Sequence, residues 1–274
     1  PEQEPEQEPE QEPEQEPEAE PFVEYFVNRT PDSKNNIITP STRTYNSEFG
    51  YSMDCTKHYS MGVNDEVYMI IGQPGTNEAF IFKKQNKNDV DWTQEVELSS
   101  LVSDFSEITS GNKFGISVAL TPGSGSYSQA HAIVASEYSN VGGYYGQIFI
   151  FNKGYDTDSG TYIWTHKYTI KENKGHGWFG KSISASRYYL AVGGLGNRNS
   201  SDGAGFVKLY YLGNDVPTDL DTIYINNSST TGNTITQANL SITNSASTDP
   251  TKNFGCSVAI DDYNTLVIGE YDSN

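Results

Sequence analysis

Four stretches decide the fold of this chain: FGYSMD at residues 49–54, FGISVA at 114–119, FGKSIS at 179–184 and FGCSVA at 254–259. Each begins with Phe-Gly and has Ser two residues after the glycine. The copies begin 65, 65 and 75 residues apart. A unit of this size that recurs in phase is typical of a repeat architecture. The sequence therefore predicts repeated units that begin near residues 49, 114, 179 and 254.

Each unit contains short runs of β-forming residues separated by Gly, Asn and Asp. The second runs are 67–71, 132–135, 189–192 and 266–268, and the third runs are 79–82, 147–151 and 206–211. Trp92 and Trp164 mark a fourth run in the first two units. Such a series predicts a four-stranded antiparallel meander. No window has a convincing helical period, so we expect little helix. Meanders that repeat along a chain bury their faces by stacking radially, which predicts an all-β fold of the β-propeller type.

The units resemble FG-GAP repeats, which form the propeller at the head of integrin α subunits. Gly72-Gln73-Pro74, Gly193-Gly194-Leu195 and Gly269-Glu270-Tyr271 stand where the family has Gly-Ala-Pro, and the second unit departs with Ala135-Ser136-Glu137. The resemblance covers roughly residues 22–272. It implies an extracellular propeller with a structural or adhesive role.

The Phe-Gly pairs are predicted to be structural. A large aromatic ring can wedge between neighbouring sheets, and the adjoining glycine lets two backbones approach closely. The eight residues are Phe49, Gly50, Phe114, Gly115, Phe179, Gly180, Phe254 and Gly255.

Two domains are expected: a low-complexity tail at 1–21 and the propeller at 22–274. Residues 22–48 align with the third and fourth strands of a unit, and the last unit contains only two strands. These halves could complete one another and close a ring of four blades, which would protect the sheet edges. Alternatively, the sequence is a fragment of a larger ring, since the family commonly has seven blades.

The tail is the acidic repeat PEQEPEQEPEQEPEQEPEAE, with ten Glu and no basic residue. Its regularly spaced prolines favour extended polyproline II or disorder. A solvated spacer and a connector that docks on adjoining subunits of a filament both remain open.

The net charge of −19 bears on partners. Nucleic acid and anionic membrane surfaces need clustered basic residues, which this chain lacks, so neither is an expected partner. The longest apolar runs are too short to span a bilayer. Copies of the chain itself are the expected protein partner, and glycans are a second possibility.

Calcium binding would need alternating oxygen ligands, as in the Asp-x-Asp-x-Asp-Gly loop of integrin-like blades. The nearest fragment is Asp156-Thr157-Asp158-Ser159-Gly160, between the third and fourth strands. It offers two carboxylates, but Asp and Gly are also ordinary turn formers. A plain turn is the favoured interpretation, with Asp156 and Asp158 as the candidate metal ligands; no other cofactor is expected.

Secretion is indicated by five glycosylation sequons, which begin at Asn28, Asn199, Asn226, Asn227 and Asn239. All lie in predicted turns or in the Ser/Thr/Asn-rich stretch 226–251, which is predicted to be a surface loop. We therefore expect an extracellular or cell-surface glycoprotein. Cys55 and Cys256 lie in equivalent first strands, and either free thiols or a bridge would fit this spacing.

No catalytic motif was found. The four histidines, His58, His131, His166 and His176, have neither HExxH spacing nor a neighbouring nucleophile motif. The sequence therefore predicts a non-enzymatic, glycosylated building block of a surface filament or cell-surface assembly. An integrin-head-like receptor that binds a protein or glycan is the alternative, and an accessory domain of a secreted enzyme is a third.

Overall fold

The described residues form an all-β structure that contains the short 3₁₀ helix Ser99–Leu101 and no α-helix. They belong to a single compact unit that begins at Ile38. The computed structural model describes residues 38–40, 46–58, 66–84, 91–103, 108, 111–122, 130–137, 146–171, 178–195, 205–212, 234–235, 240–243, 253–263 and 265–271.

Four sheets follow one another along the chain, and apart from the short β12 the neighbouring strands of each are antiparallel and in chain order. Sheet 1 contains β1 (Ser52–His58), β2 (Glu66–Gln73), β3 (Glu78–Lys84) and β4 (Thr93–Glu97). Sheet 2 contains β5 (Phe114–Leu120), β6 (His131–Ser136), β7 (Gln147–Asp156) and β8 (Thr161–Lys171). Sheet 3 contains β9 (Ser182–Ala185), β10 (Tyr189–Gly194), β11 (Phe206–Tyr211) and β13 (Leu240–Thr243). Sheet 4 contains β14 (Ser257–Ile260) and β15 (Leu266–Gly269), and the short β12 (Thr234–Ile235) lies parallel to β8 at the edge of sheet 2.

The four-stranded antiparallel meander is confirmed for the first three units, and the fourth contains two antiparallel strands; the predicted second and third runs all lie within strands. One expectation was wrong. The stretch 226–251 was predicted to be a loop, but it contains β12 and β13. β13 pairs with β11 so that Leu240 lies opposite Leu209 and Ile242 opposite Val207. The polar composition of this stretch predicts a loop, and alternation over only four residues is a weak signal for a strand. Pairing with a neighbouring strand outweighs this local preference.

Stacking of the sheets creates the core. Sheet 2 is covered on both faces, because side chains along its strands alternate between the two sides. Val118 and Val134 pack in the cluster shared with sheet 1, whereas Ile133 and Ile148 pack in the cluster shared with sheet 3. Since β5 and β6 bury residues on both sides, they read as nearly continuous apolar runs.

The Phe-Gly pairs form four equivalent tight turns before the first strand of each sheet. The amide two residues after each Phe donates to the carbonyl of the residue before it: Tyr51 to Glu48, Ile116 to Lys113, Lys181 to Trp178 and Cys256 to Asn253. The glycine φ angles are 86°, 93°, 90° and 84° in chain order. A positive φ at the third residue is the requirement of a type II turn, which glycine satisfies at least cost.

The phenylalanines of the first three turns pack on the third strand of their own sheets. Phe49 lies 6.0 Å from Phe80 and Phe114 lies 5.2 Å from Phe149, both edge to face between ring centroids. Phe179 stacks on Phe206 at 6.4 Å. Phe114 also belongs to the cluster shared with sheet 1, and Phe179 to the cluster shared with sheet 2. Phe114 and Phe179 therefore lie between two consecutive sheets, whereas Phe49 packs on the outer face of sheet 1.

Glycine permits the closest backbone approach between sheets. A Cβ on Gly72 of β2 would overlap the carbonyl oxygen of Gly115 in the next sheet. A Cβ on Gly193 of β10 would overlap the carbonyl oxygen of Gly255 in the same way. Both glycines begin the degenerate Gly-Ala-Pro corner identified in the sequence. The two halves of the repeat motif therefore meet across a sheet junction.

Two end faces remain uncovered, and across the described residues the sheets form no closed ring. Met53 on β1 and Val267 on β15 are each 63% exposed. The equivalent positions within the stack are buried, as Val118 and Ile133 illustrate. The described residues thus form an open stack of four sheets.

We expect Gly115→Ala to destabilise the protein more than Gly50→Ala, although both glycines have similar positive φ angles. The left-handed backbone costs each variant about 1–2 kcal/mol. At Gly115 the new methyl would also overlap the carbonyl of Glu78, whereas at Gly50 it meets nothing within 4 Å. The clash should add roughly 1–3 kcal/mol. Urea unfolding of the two variants measures the difference; equal losses would contradict the close approach of sheets 1 and 2.

Candidate functional site

Polar side chains of sheet 1 bond to the backbone of sheet 2 at three points. The Ser52 hydroxyl donates to the carbonyl of Gly115 at 2.8 Å. The Asp54 carboxylate accepts from the Leu120 amide at 2.8 Å, and Asn77 Oδ1 accepts from the Phe114 amide at 3.2 Å. Because β5 is the edge strand of sheet 2, these bonds join its backbone to sheet 1 and fix the register between the two sheets.

The junction between sheets 3 and 4 repeats two of these contacts at equivalent positions. The Ser182 hydroxyl donates to the carbonyl of Gly255 at 2.9 Å. Ser184 Oγ accepts from the Ile260 amide at 3.1 Å, as Asp54 does from Leu120 in the first junction. The serine of Phe-Gly-x-Ser thus has the same role in both junctions.

The middle junction, between sheets 2 and 3, differs because its motif differs. Ala135 replaces the glycine of the corner, and a Cβ on Gly180 would lie only 3.1 Å from the Ala135 methyl. Here Ser117 Oγ accepts from the Ile183 amide at 3.1 Å instead of donating to a glycine carbonyl. An ion pair of 3.3 Å joins Lys181 to the buried Glu137. The departure visible in the sequence therefore corresponds to a different set of contacts.

Burial changes the acidity of the carboxylate in the first junction. Desolvation raises the pKa of Asp54, although hydrogen bonds from the amides of Leu120 and Cys55 oppose the shift. A carboxylate that accepts two amide protons is well satisfied in its charged form. Asp54 therefore serves as an acceptor for backbone groups.

A charged cluster lies between sheets 1 and 2 and is centred on Lys153 of β7. The Lys153 ammonium donates to Glu95 Oε1 at 2.7 Å and to the Tyr68 hydroxyl at 2.6 Å, and it lies 4.3 Å from the centroid of the Tyr68 ring. Trp164 Nε1 donates to the other oxygen of Glu95 at 2.9 Å. Tyr68 in turn donates to Glu66. Only 7% of the Lys153 side chain and 16% of that of Glu95 are exposed.

The electrostatics of this cluster favour an ionised pair of Lys153 and Glu95. Burial alone would raise the pKa of Glu95, but the hydrogen bond and charge of Lys153, the Trp164 N–H and the charge of Lys83 together lower it. Burial and the hydrogen bond to Glu66 raise the pKa of Tyr68, which keeps the phenol neutral. Both oxygens of Glu95 and the hydroxyl of Tyr68 are thus already engaged within the cluster, which can fasten two sheets together.

The hairpin formed by β7 and β8 extends beyond β6, whose pairing with β7 ends at Asn152. Near its tip, Tyr155 and Tyr162 pair across the strands at 5.3 Å and are 59% and 64% exposed. Both strands are longer than the others, with 10 and 11 residues. The hairpin therefore presents an aromatic pair to solvent, close to the charged cluster at its base.

The predicted metal ligands lie in the turn of this hairpin. The Asp156 carboxylate accepts from the amides of Ser159 at 3.1 Å and Asp158 at 3.4 Å, and the Gly160 amide donates to the carbonyl of Asp156 at 2.9 Å. The side-chain and backbone hydrogen bonds from Ser159 lower the pKa of Asp156. Asp156 therefore forms an Asx-type turn, the role that Asp commonly has at such positions.

Other predicted positions are only partly described. Cys55 is exposed, Cys256 is half-buried, and both are free thiols. The sequon asparagines Asn28, Asn199, Asn226, Asn227 and Asn239 lie outside the described residues. In the part of the chain that the structure describes, no three His, Cys, Asp or Glu side chains form a group that could hold a metal ion. No helix within that part is long and apolar enough to cross a membrane.

His131 is buried at the start of β6. Its Nδ1 lies 3.1 Å from the hydroxyl of Thr121, which also accepts from the backbone amide of His131 at 2.9 Å. Burial lowers the pKa of His131 to about 4. The imidazole is therefore neutral at physiological pH and has a structural position.

Sequence reasoning did not single out Lys153, Glu95 or Tyr68. Trp164 was noted only as a strand marker. The one available signal was the cross-strand position of Lys153 and Trp164, which become neighbours only once the register of the long hairpin is known. Contacts between different sheets leave no pattern in a local window.

We expect Glu95→Gln to lower the free energy of unfolding by about 3–5 kcal/mol, because it leaves the Lys153 charge buried without its partner. Lys83→Met is the matched control: Lys83 is more exposed, lies 3.3 Å from the same carboxylate and should cost less than about 1 kcal/mol. Adding Lys153→Met to Glu95→Gln should recover much of the loss.

The pH dependence provides a second readout. The stabilisation by Glu95 should be fully present above its ordinary pKa of 4.5 and should disappear as the pH falls through the lowered folded-state value. The Glu95→Gln variant should lose the part of the pH dependence of unfolding that comes from protonation of Glu95. If chemical denaturation shows the same dependence of the free energy of unfolding on acidic pH in wild type and in Glu95→Gln, the proposed ion pair between Glu95 and Lys153 is contradicted.

We expect His131 to weaken the fold as the pH falls from 6.5 towards 4. The folded-state pKa lies below the unfolded value, so the unfolded chain takes up the proton first. A difference of about 2.5 units corresponds to roughly 3 kcal/mol. His131→Asn should remove this part of the pH dependence, while Thr121→Val should retain it. Chemical denaturation at pH 7, 5.5 and 4 measures the effect, and identical pH slopes in wild type and His131→Asn would disprove it.

No family model matches the chain, and no curated protein does so.

Proposed function

We propose that the chain is a structural module of an extracellular or cell-surface assembly, built on an FG-GAP-like β-propeller. The sheets correspond to blades, with β1, β5, β9 and β14 nearest the axis. Consecutive four-stranded meanders that stack face to face support this assignment. The equivalent glycine turns support it further, because they have nearly equal φ angles in all four units.

One observation carries the structural role. The polar side chains that recur in the repeat bond to the backbone of the neighbouring sheet: Ser52 and Asp54 in the first junction, and Ser182 and Ser184 in the last. Each such bond contributes about 1 kcal/mol net and adds directional specificity to the apolar packing. Repeated positions are thus used to hold sheets together.

The extracellular setting rests on the sequons and on the family resemblance. The acidic tail, with ten Glu in its first 20 residues, suits a connector or spacer between subunits. The building block is therefore a glycosylated body of stacked sheets with a charged extension. Its expected partners are further copies of the same chain.

We expect the full chain, expressed through a eukaryotic secretory pathway, to be secreted, to carry N-glycans and to assemble into multimers. Glycosidase treatment should shift its electrophoretic mobility, and Asn→Gln at the five sequons should abolish that shift. Analytical ultracentrifugation and electron microscopy measure assembly. A secreted chain without glycans would refute the glycoprotein assignment, and a chain that stays monomeric at all concentrations would refute the building-block role.

A second function, ligand binding by a receptor-like propeller, is favoured by the hairpin tip. Tyr155 and Tyr162 form an exposed, rigid aromatic pair of the kind that anchors protein or glycan ligands. In that case the chain remains monomeric, and Tyr155→Ala with Tyr162→Ala removes ligand binding. The assembly experiment therefore separates the two functions.

A further inference from the structure

We infer that two neighbouring turns of sheets 3 and 4 bind an acidic saccharide, a sugar that has one carboxylate and several hydroxyl groups. The site consists of Arg187 and Tyr188, in the turn between β9 and β10, and Asp262, in the turn between β14 and β15. This binding activity goes beyond the structural role proposed above and does not depend on it.

Hydrogen bonds hold both turns in a fixed conformation. In the first turn, the Ser186 amide donates to the carbonyl of Tyr189 at 2.8 Å. In the second, Asp261 Oδ1 accepts from two amides of its own turn at 2.9 and 2.8 Å. The Arg187 amide donates to Asp262 Oδ1 at 2.8 Å and so joins the two turns. A ligand that contacts both turns therefore meets groups that are already positioned, which lowers the entropic cost of binding.

The Arg187 guanidinium provides the group that binds the carboxylate. Its central carbon lies 5.4 Å from the centroid of the Tyr188 ring, which orients the side chain. Nε is buried without a hydrogen-bond partner while the residue as a whole is half-buried, so the terminal Nη groups are the part that reaches solvent. None of the ion pairs within the described residues involves Arg187. The planar fork of an arginine matches the two oxygens of a carboxylate.

Tyr188 gives the site an apolar surface. Its side chain is 40% exposed, and its ring stacks on that of Tyr211 with centroids 6.5 Å apart and planes at 16°. Tyr211 is only 8% exposed and packs edge to face against Tyr189 at 5.5 Å. A tyrosine supported in this way loses little conformational entropy when it contacts a ligand. The exposed part of the Tyr188 ring is therefore suited to packing against the C–H groups of a sugar ring.

Asp262 distinguishes between classes of acidic ligand. Its Oδ1 accepts from the Arg187 amide, and no contact within the described residues engages its Oδ2. A free carboxylate oxygen accepts hydrogen bonds from the hydroxyl groups of a sugar. The same negative charge repels a second anionic group, which disfavours an acidic peptide. The net charge of −19 adds long-range repulsion of any polyanion. A ligand with a single carboxylate and several hydroxyls is therefore the best match.

Three probes test the ligand class by calorimetry and saturation-transfer NMR on the full chain. Methyl glucuronide should bind. Methyl glucoside, which has a hydroxymethyl group in place of the carboxylate, should bind at least about tenfold more weakly. Hexaglutamate should not bind. Equal affinities for the two sugars, binding of hexaglutamate instead of the glucuronide, or no binding of any probe would each overturn the inference.

Variants of Arg187 test the site itself. Arg187→Gln should weaken binding of methyl glucuronide at least about tenfold, and Arg187→Lys, which retains the charge but not the fork, should have an intermediate affinity. Both variants should fold as the wild type does, because the backbone amide of residue 187 still donates to Asp262. Lys167→Gln removes one positive charge from an exposed position on β8 and is the matched control, which should bind normally. Equal losses in Arg187→Gln and Lys167→Gln would reduce the effect to net charge and overturn the site.

Two further variants separate this site from its alternatives. Asp262→Asn retains an oxygen for the Arg187 amide but removes the charge, so it should lower the preference for methyl glucuronide over hexaglutamate. An unchanged preference would contradict the role of Asp262. The double variant Tyr155→Ala with Tyr162→Ala should bind methyl glucuronide as the wild type does. Loss of binding in that variant, with normal binding in Arg187→Gln, would locate the sugar at the hairpin tip and overturn this inference.

Discussion

At two of the three sheet junctions, the backbones of neighbouring sheets approach so closely that this contact sets how the sheets stack. Where Gly72 meets Gly115 and Gly193 meets Gly255, the space for a side chain is absent, and a carbonyl oxygen occupies it. Only this approach brings the Ser52 and Ser182 hydroxyls within reach of the next sheet. Apolar packing provides most of the stabilising free energy, and these polar contacts determine which register the sheets adopt.

The repeat explains why much of the fold was accessible from the sequence. Four in-phase copies of Phe-Gly-x-Ser define equivalent turns, because a positive φ selects glycine and a junction selects a large ring beside it. Strand positions then followed from short β-rich runs separated by turn residues. β13 was not predicted, because its four residues lie in a Ser/Thr/Asn-rich stretch and form a strand only through pairing with β11.

The charged cluster could not be anticipated in the same way. Tyr68, Glu95 and Lys153 lie on strands of two different sheets, and their meeting depends on the stacking of those sheets and the length of one hairpin. Nothing in a local window distinguishes Lys153 from a solvated lysine. The opposite holds for Asp156, whose neighbourhood of Asp, Ser and Gly predicts the turn that it forms. Contacts between residues that are close in the sequence can be predicted from it, whereas contacts between residues on different sheets cannot.

The replacement of glycine by Ala135 makes the three joints of the stack unequal. The first and third joints share the hydrogen bond from a serine hydroxyl to a glycine carbonyl. The central joint instead has the hydrogen bond to Ser117 and the ion pair between Glu137 and Lys181. An ion pair weakens with added salt when one of its partners is accessible to solvent, and 30% of the Lys181 side chain is exposed. Raising the ionic strength is therefore expected to weaken this central ion pair while it leaves the serine contacts of the two outer joints unchanged.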